Sequence, residues 1–499
     1  MGRRIAPADV GGPSGVSRRK VLVSGALATA PLLAGAHHLA SPAHGLASPA
    51  HRPHKRLRLT TTSDLKTVLA KSALPPFTHV TARPGDVTVS PQQTFQPFMG
   101  VGAALTDSAA YVLAHYMSKG QRHALLKDLF SASGRNWQML RVCMGSPDFR
   151  SEPVGYTYDD GPADPSLSRF SVAKDRAFIM PVIKEILAIN PRVHIIATPW
   201  TPPAWMLASG SFEAGDCTFS LKYMASYAQY FVKFIKAYRA QGIPIWAVTA
   251  QNEVVDGWFM TLSQAQEISF IGSHLGPALA SAGLGHVKIF AMDDMWSNDS
   301  YGRAVYTSSA SHPHTAGIAY HGYSGGPAVM SGAYGEQHLT EWRSLVSESL
   351  DITMAGMAGG YVADGVRNWA RSVILWNLAL DQNGEPNQRK PGRRGVVTVD
   401  NKTGAVQPNS EYYALAHLSM FAKPGALRCH SPSYGPPYVA YTTYPSDITT
   451  TALVNPDKSV VLYIYNGAAG TKTFHIIDDR THTGFTATMV PGELSTFVW

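Results

Sequence analysis

Two glutamates stand where apolar runs turn polar. Glu253 closes "WAVTAQNE" (246–253), and Glu341 sits in "LTEW" (339–342). If a fold brings two such carboxylates to one pocket, they suit cleavage of a glycosidic bond. One protonates the leaving oxygen, and the other attacks the sugar carbon or activates a water. A glutamic acid serves as the acid near neutral pH when a low-dielectric setting and an ionised partner favour its protonated form. Other suitable side chains recur at similar places: Asn252, Asp107, Trp200, Tyr323 and Trp376, with Arg141, His321 and Asn377 beside them. Tryptophan faces pack on the C–H faces of sugars, while amides and acids bind hydroxyls. The set predicts a pocket for a polar, ring-shaped ligand, a carbohydrate or glycoconjugate, whose chemistry needs no metal and no cofactor.

Such residues can act together only if one scaffold carries them to a common rim. From about residue 98, short apolar runs alternate with helical patterns, as in a parallel sheet built from βα units. Eight runs read as strands: "FMGVGA" (98–103), "WQMLRVCMG" (137–145), "RVHIIATPW" (192–200), "IPIWAVTAQNE" (243–253), "HVKIFAMDD" (286–294), "GIAYHGY" (317–323), "EQHLTEW" (336–342) and "SVILWNLAL" (372–380). Segments such as 175–189 and 221–241 between them have helical periodicity. Eight strands with crossovers predict an α/β fold, a (β/α)8 or TIM barrel, whose active-site groups gather at the C-terminal strand ends. The candidates obey that rule. The run at 98–103 leads to Asp107, others end at Trp200, Asn252–Glu253, His321 to Tyr323 and Glu341, and Trp376–Asn377 lie inside the eighth.

After an expected last helix (410–422) the pattern changes to short alternating strands, "VVLYIYNGA" (460–468) to "LSTFVW" (494–499), which predict a fused β-sandwich domain. The segment 58–97 is also strand-like and is expected to join that sandwich. The predicted organisation is therefore a barrel over 98–422 and a sandwich over 423–499, with 58–97 ahead of the barrel.

The net charge of +8 does not mark a nucleic-acid binder. Residues 1–58 hold nine Lys/Arg against Asp9 alone, and the remaining 33 basic and 33 acidic residues balance. Arg18–Arg19 precede an apolar run, 21–36, that is too short for a membrane span and ends in a cleavage-like "AGA". The paired arginines resemble a twin-arginine export signal, so 1–36 is expected to be a bacterial export leader and the Ala/Pro/His-rich 37–57 a flexible tether. Later runs are also too short to span a membrane. Cys143, Cys217 and Cys429 form neither a disulfide framework nor a zinc spacing; one disulfide or three free thiols both fit. No feature of the sequence bears on oligomeric state.

The motifs "FMGVGAALTDSAA", "RVCMGSPDF", "ATPWTPPAWM", "VTAQNE", "GIAYHGY", "LTEW" and "ILWNLALDQNGEPN" resemble, in order and spacing, family 30 of the glycoside hydrolases, which includes the lysosomal glucosylceramidases. The resemblance extends from about residue 60 to the end. It implies a barrel with a β-sandwich beside it and retaining hydrolysis of a β-glycoside through a covalent glycosyl-enzyme. It implies Glu253 as acid/base, Glu341 as nucleophile and Asn252 as ligand of the sugar 2-hydroxyl. Asp107, Trp200 and Trp376 match residues that hold the sugar, with Tyr323, Arg141 and Asn377 as supports. His321 is expected either to orient a neighbour or to touch substrate. A terminal β-glucosyl substrate of the β-glucosidase or glucosylceramidase kind comes first, a β-1,6-glucanase or xylan-directed activity after it. Three departures, Val254, Trp342 and Glu385, are expected near the pocket mouth. Two rivals from other classes are a serine esterase using Ser324 of "GYSGG" and a non-catalytic sugar-binding protein.

Overall fold

The computed structural model describes residues 56–212, 217–255, 259–388 and 392–499, so the expected leader and nearly all of the tether lie outside the described residues. Eight parallel strands close a barrel: β1 (Gly100–Leu105), β2 (Met139–Met144), β3 (His194–Pro199), β4 (Ala247–Thr249), β5 (Lys288–Met295), β6 (Gly317–His321), β7 (Glu336–Glu341) and β8 (Ala370–Leu375). Each pairs with the next, and β8 returns to β1 with Ser372 opposite Gly100. These strands are covered on both faces, which is why they read as continuous apolar runs rather than alternating ones. In β1 every residue is buried. A Cβ on Gly102 would stand 1.9 Å from the Met139 carbonyl oxygen, so this glycine permits close strand contact.

Met139, Ile196, Ala247, Phe290, Ala319 and Ile374, one from each of six strands, form a small cluster of their own, and a larger core joins strands to helices. Each large member contributes about 1.5–3 kcal/mol by leaving water. Helices follow the strands closely. Thr106 caps Asp107–His115, its hydroxyl accepting the Ala109 N–H at 3.0 Å, directly after β1.

β4 is far shorter than the run 243–253 suggested, and β8 stops one residue before Trp376. Pro244 has no N–H to give a ladder, and Glu253 adopts a left-handed backbone with φ 51°, which turns the chain out of the extended path. The Asn252 N–H instead donates to the Pro199 carbonyl at the end of β3, and the Glu253 N–H to the Asp293 carbonyl in β5, both at 2.9 Å.

The sandwich strands come from both sides of the barrel in sequence. Leu57–Thr62 runs antiparallel to Glu493–Val498, with Leu57 opposite Val498. Val87–Pro97 pairs antiparallel with Leu427–His430 and parallel with Lys472–Asp478, so one long strand serves both layers. Val87, Val89, Ile476, Phe485, Phe497 and Trp499 share their core. All three cysteines are buried, and none is in a disulfide.

His417, on the barrel helix Ser410–Ser419, ties the two parts together. Its ring nitrogens lie 3.0 Å from the Thr496 hydroxyl and 2.9 Å from the Thr61 hydroxyl, on the two paired sandwich strands. Burial pulls its pKa from 6.5 down to about 3, so the folded imidazole is neutral. Below pH 6.5 the unfolded chain takes up a proton that the folded chain refuses. The contribution of His417 is therefore complete above 6.5 and is lost as pH falls towards 3. Melting curves from pH 7.5 to 4 should show a shallower acid loss of Tm for His417→Gln than for the native chain. Parallel Tm profiles would count against this role.

Candidate active site

One buried carboxylate organises the C-terminal rim. Asp293, near the end of β5, meets side chains from five other strands of the barrel. Arg141 Nη2 of β2 donates at 2.9 Å, Thr249 of β4 at 2.8 Å, Thr198 of β3 at 3.1 Å and Thr340 of β7 at 2.6 Å; His321 Nε2 of β6 lies at 3.2 Å. Burial alone would raise its pKa, but the charges of Arg141 and His321 and these hydrogen bonds hold it well below the usual carboxylate range. Met292 and Asp293 pay a backbone cost, with φ 72° and 56°, and so aim this side chain into the barrel mouth.

Arg141 is fully buried and carries the order outward. Its Nη1 donates to Glu341 Oε2 at 2.5 Å and its Nη2 to Asn252 Oδ1 at 2.7 Å. The Tyr323 hydroxyl donates to Glu341 Oε1 at 2.9 Å. Burial and the Glu341 charge keep that phenol protonated. Both oxygens of Glu341 are thus held by donors, which fixes the carboxylate in place.

His321 faces Glu253 Oε1 through Nδ1 at 3.3 Å and Asp293 through Nε2. Burial would depress its pKa, yet Glu341, Asp293 and Glu253 outweigh it and raise the value to about 10. An imidazolium can donate from both nitrogens, to Glu253 and to Asp293. Asp294 fixes the adjoining loop, its Oδ2 accepting the Val255 N–H at 2.7 Å.

One ligand atom from each of Glu253, His321 and Glu341 lies within 4.8 Å of the others. The donor set does not suit a cation. Both His321 nitrogens already face carboxylates, and Arg141 sets a permanent positive charge on Glu341. What remains is a carboxylate pair at short range beside a cavity of about 280 Å³. Two such groups can act in turn on opposite sides of one bond.

The cavity wall includes Trp200, Asn252, Glu253, Tyr323, Glu341 and Trp376, six residues expected from sequence. The Trp200 and Trp376 rings stack with centroids 4.9 Å apart, and Arg141 packs against both. Gln251 Nε2 donates to the Trp200 carbonyl at 2.6 Å and sets that wall. Asn377 is a buried support, its Oδ1 accepting from the Thr106 hydroxyl at 2.7 Å. Asp107 is buried and does not belong to the wall. Its Oδ1 is taken by the Ser151 N–H and hydroxyl at 2.7 and 2.8 Å, and the wall position goes to Asp148 and Phe149 of the same loop.

Sequence reasoning missed Asp293 and, on the wall, Phe149, Phe259, Met295, Arg343 and Arg393. The acidic doublet ending "FAMDD" could have revealed Asp293, because a strand that closes on acids breaks its own apolar pattern. Two departures lie elsewhere than expected. Val254 is fully buried in the main core, and Trp342 is buried with its ring stacked on Tyr361, so neither stands at the mouth. Ser324 opens no helix: a turn and the short 3-10 segment Pro327–Val329 follow it, which removes the nucleophile-elbow geometry.

Residues 98–422 match the model of the glycosyl hydrolase family 30 TIM-barrel domain, and 425–493 that of the family 30 beta sandwich domain. The chain belongs to glycoside hydrolase family 30. It is 31% identical over 360 residues to an endo-1,6-beta-D-glucanase of Neurospora crassa, covering 68% of this chain and 73% of that one. It is 30% identical over 450 residues to the lysosomal acid glucosylceramidase of Mus musculus, covering 83% of each. A solved endo-beta1,6-glucanase superposes with a TM-score of 0.78 at 29% identity, covering 89% of this chain and 99% of that one. This family 30 enzyme is thus a glycoside hydrolase, with a barrel and sandwich of the family's kind.

Proposed function

We propose that this hydrolase is a retaining β-glycosidase for β-glucosyl units, with Glu341 as nucleophile and Glu253 as acid/base. The observation that carries the reading is the carboxylate spacing. Oxygens of the two groups lie within 4.8 Å, which suits retention at about 5–5.5 Å between carboxyls rather than inversion at about 6.5–9.5 Å. Glu341, its charge held by Arg141 and Tyr323, attacks the anomeric carbon while Glu253 gives its proton to the departing oxygen. Glu253 then takes a proton from water, which releases the sugar with its configuration kept. Asn252, anchored by Arg141, is placed to bind the 2-hydroxyl, and the Trp200–Trp376 wall to hold the ring. Asp107 acts at one remove, by fixing the loop of Asp148 and Phe149.

The compact cavity, near the lower end of small-ligand sites, and the glucosylceramidase relative support a β-glucosidase or glucosylceramidase-like specificity. The endo-1,6-glucanase relative and solved structure support a β-1,6-glucanase as the second reading. Assays of aryl β-glucoside, glucosylceramide, β-1,6-glucan and xylan side by side separate them. Turnover of the first two without endo-cleavage of glucan is expected. Faster glucan cleavage would install the second reading, and an α-configured first product would sink retention. Export through the twin-arginine leader is part of the same proposal. Arg18→Lys with Arg19→Lys should leave active enzyme inside the cells of a twin-arginine-competent host, and unchanged export would refute it.

A further inference from the structure

Among the described residues, two arginines of the cavity wall have no ionic partner. Arg343 lies two residues beyond Glu341, and Arg393 lies on the connection that follows β8. Among the described residues, no carboxylate comes within ion-pair distance of either guanidinium, although ion pairs are frequent elsewhere in the fold. Arg343 rests over the Tyr323 ring at 5.5 Å and Arg393 over the Phe149 ring at 5.6 Å. Arg393 Nη1 is buried and makes no hydrogen bond. A buried charged donor left unmet is costly, and such a group is a reason to look for a missing partner.

A short antiparallel ribbon fixes the pair. Ser344 lies opposite Arg394 and Leu345 opposite Arg393. Arg343 is two residues before Leu345, so strand alternation places it on the same face as Arg393, at the diagonal position. The neighbour Arg394 points to the other face, where it meets Glu411 at 3.0 Å. One face of the ribbon is therefore neutralised within the protein and the other presents two free guanidinium groups to the cavity. Tyr441 stands close by. It occupies the tip of a hairpin closed by Val439 and Thr443 and docked through the Ala440 N–H on the Gly325 carbonyl at 2.8 Å. Arg343 and Arg393 both oppose the rise in its phenol pKa that burial causes.

The position of the pair says which part of a substrate it meets. Trp200 and Trp376 follow β3 and β8, so their wall spans the arc of the rim over β8, β1, β2 and β3. A sugar ring stacked on that wall leaves the side of the cavity where the ribbon carries Arg343 and Arg393 to the leaving portion. We propose that Arg343 and Arg393 bind a negatively charged group, a carboxylate or a phosphate, on the leaving portion of the substrate. The inference rests on the β-glucosyl reading above. Guanidinium groups match both anions through paired, charge-assisted hydrogen bonds.

The test uses uncleaved ligands, so that binding is read apart from catalysis. Aryl 1-thio-β-glucosides whose ring carries a carboxylate, a phosphate or a neutral carboxamide are titrated calorimetrically into the full chain. A Kd at least tenfold lower for one anionic ligand than for the carboxamide is expected, and the anion that gains most identifies the source. The preference should shrink in Arg343→Gln and in Arg393→Gln, reverse in Arg393→Glu and weaken with added salt. Equal affinities for the three ligands, no binding of any, or a preference that survives both glutamine variants would overturn the proposal. Hydrolysis of the matching O-glucosides is followed separately. No turnover with an intact anion preference would fault the catalytic reading and leave this one standing.

Discussion

Replacing Glu341 with alanine should lower kcat on an aryl β-glucoside by about 10⁴- to 10⁶-fold, the scale on which loss of an essential nucleophile is felt. The geometry adds a second expectation. Removal of this carboxylate leaves Arg141, fully buried, with Asp293 as its remaining charged partner and His321 still cationic beside it. The vacated space is then both empty and positively charged, and a small anion should enter it. Azide should restore measurable turnover of a substrate with a good leaving group. Attack from the side of the lost carboxylate inverts the anomeric centre once, and nothing inverts it again, so the product is the α-glucosyl azide. Rates with and without azide, the anomeric proton coupling of the product and an unchanged melting temperature check the three parts. Near-native activity without azide, or a β-configured azide, would remove Glu341 from the nucleophile's place.

Glu253→Ala should split substrates by their need for a proton. For an alkyl or sugar leaving group, loss of general acid help is expected to reduce kcat/KM by about 10²–10⁴-fold. A 2,4-dinitrophenyl group departs unaided, so its kcat/KM should change little while kcat falls, because water must then attack the glycosyl-enzyme without a base. KM falls with kcat as the intermediate accumulates, and a burst of dinitrophenol equal to the enzyme concentration should precede the slow phase. An equal loss on both substrates, with no burst, would mean that Glu253 only shapes the pocket. His321→Asn gives a gentler version, since it removes the donor that holds Glu253 Oε1 without removing the carboxylate.

The barrel was legible because its strands are buried on both faces, and continuous apolar runs separated by helical periods leave few other folds. The catalytic candidates were legible because polar residues at strand ends break those runs. The limits have physical causes. The end of β4 was misjudged because Asn252 and Glu253 still bond to both neighbouring strands, as strand residues do, while the left-handed φ of Glu253 has no signature in residue type. The bond of Asp107 Oδ1 to Ser151 was not legible either, because it depends on a loop 44 residues later. Thr198, Thr249 and Thr340 are unremarkable in sequence and become an ordered cage only around Asp293. Arg343 and Arg393 gain meaning from a two-strand ribbon too short to leave a periodicity.

The pairing of Leu57 with Val498 has a consequence for how the molecule forms. Every barrel strand finds its next neighbour after a modest stretch of chain, except the β8–β1 closure, so the βα units can assemble progressively. The edge of the sandwich must instead close a loop that contains the whole barrel, and contacts so distant in sequence are slow to form. The sandwich should therefore be the last part to order, and its closure draws both ends of the barrel segment together. Joining the Trp499 end to the Leu57 end by a short linker and opening the chain at an exposed barrel loop would turn that distant pairing into a local hairpin. Such a circular permutant should refold faster than the natural order, with the same final structure.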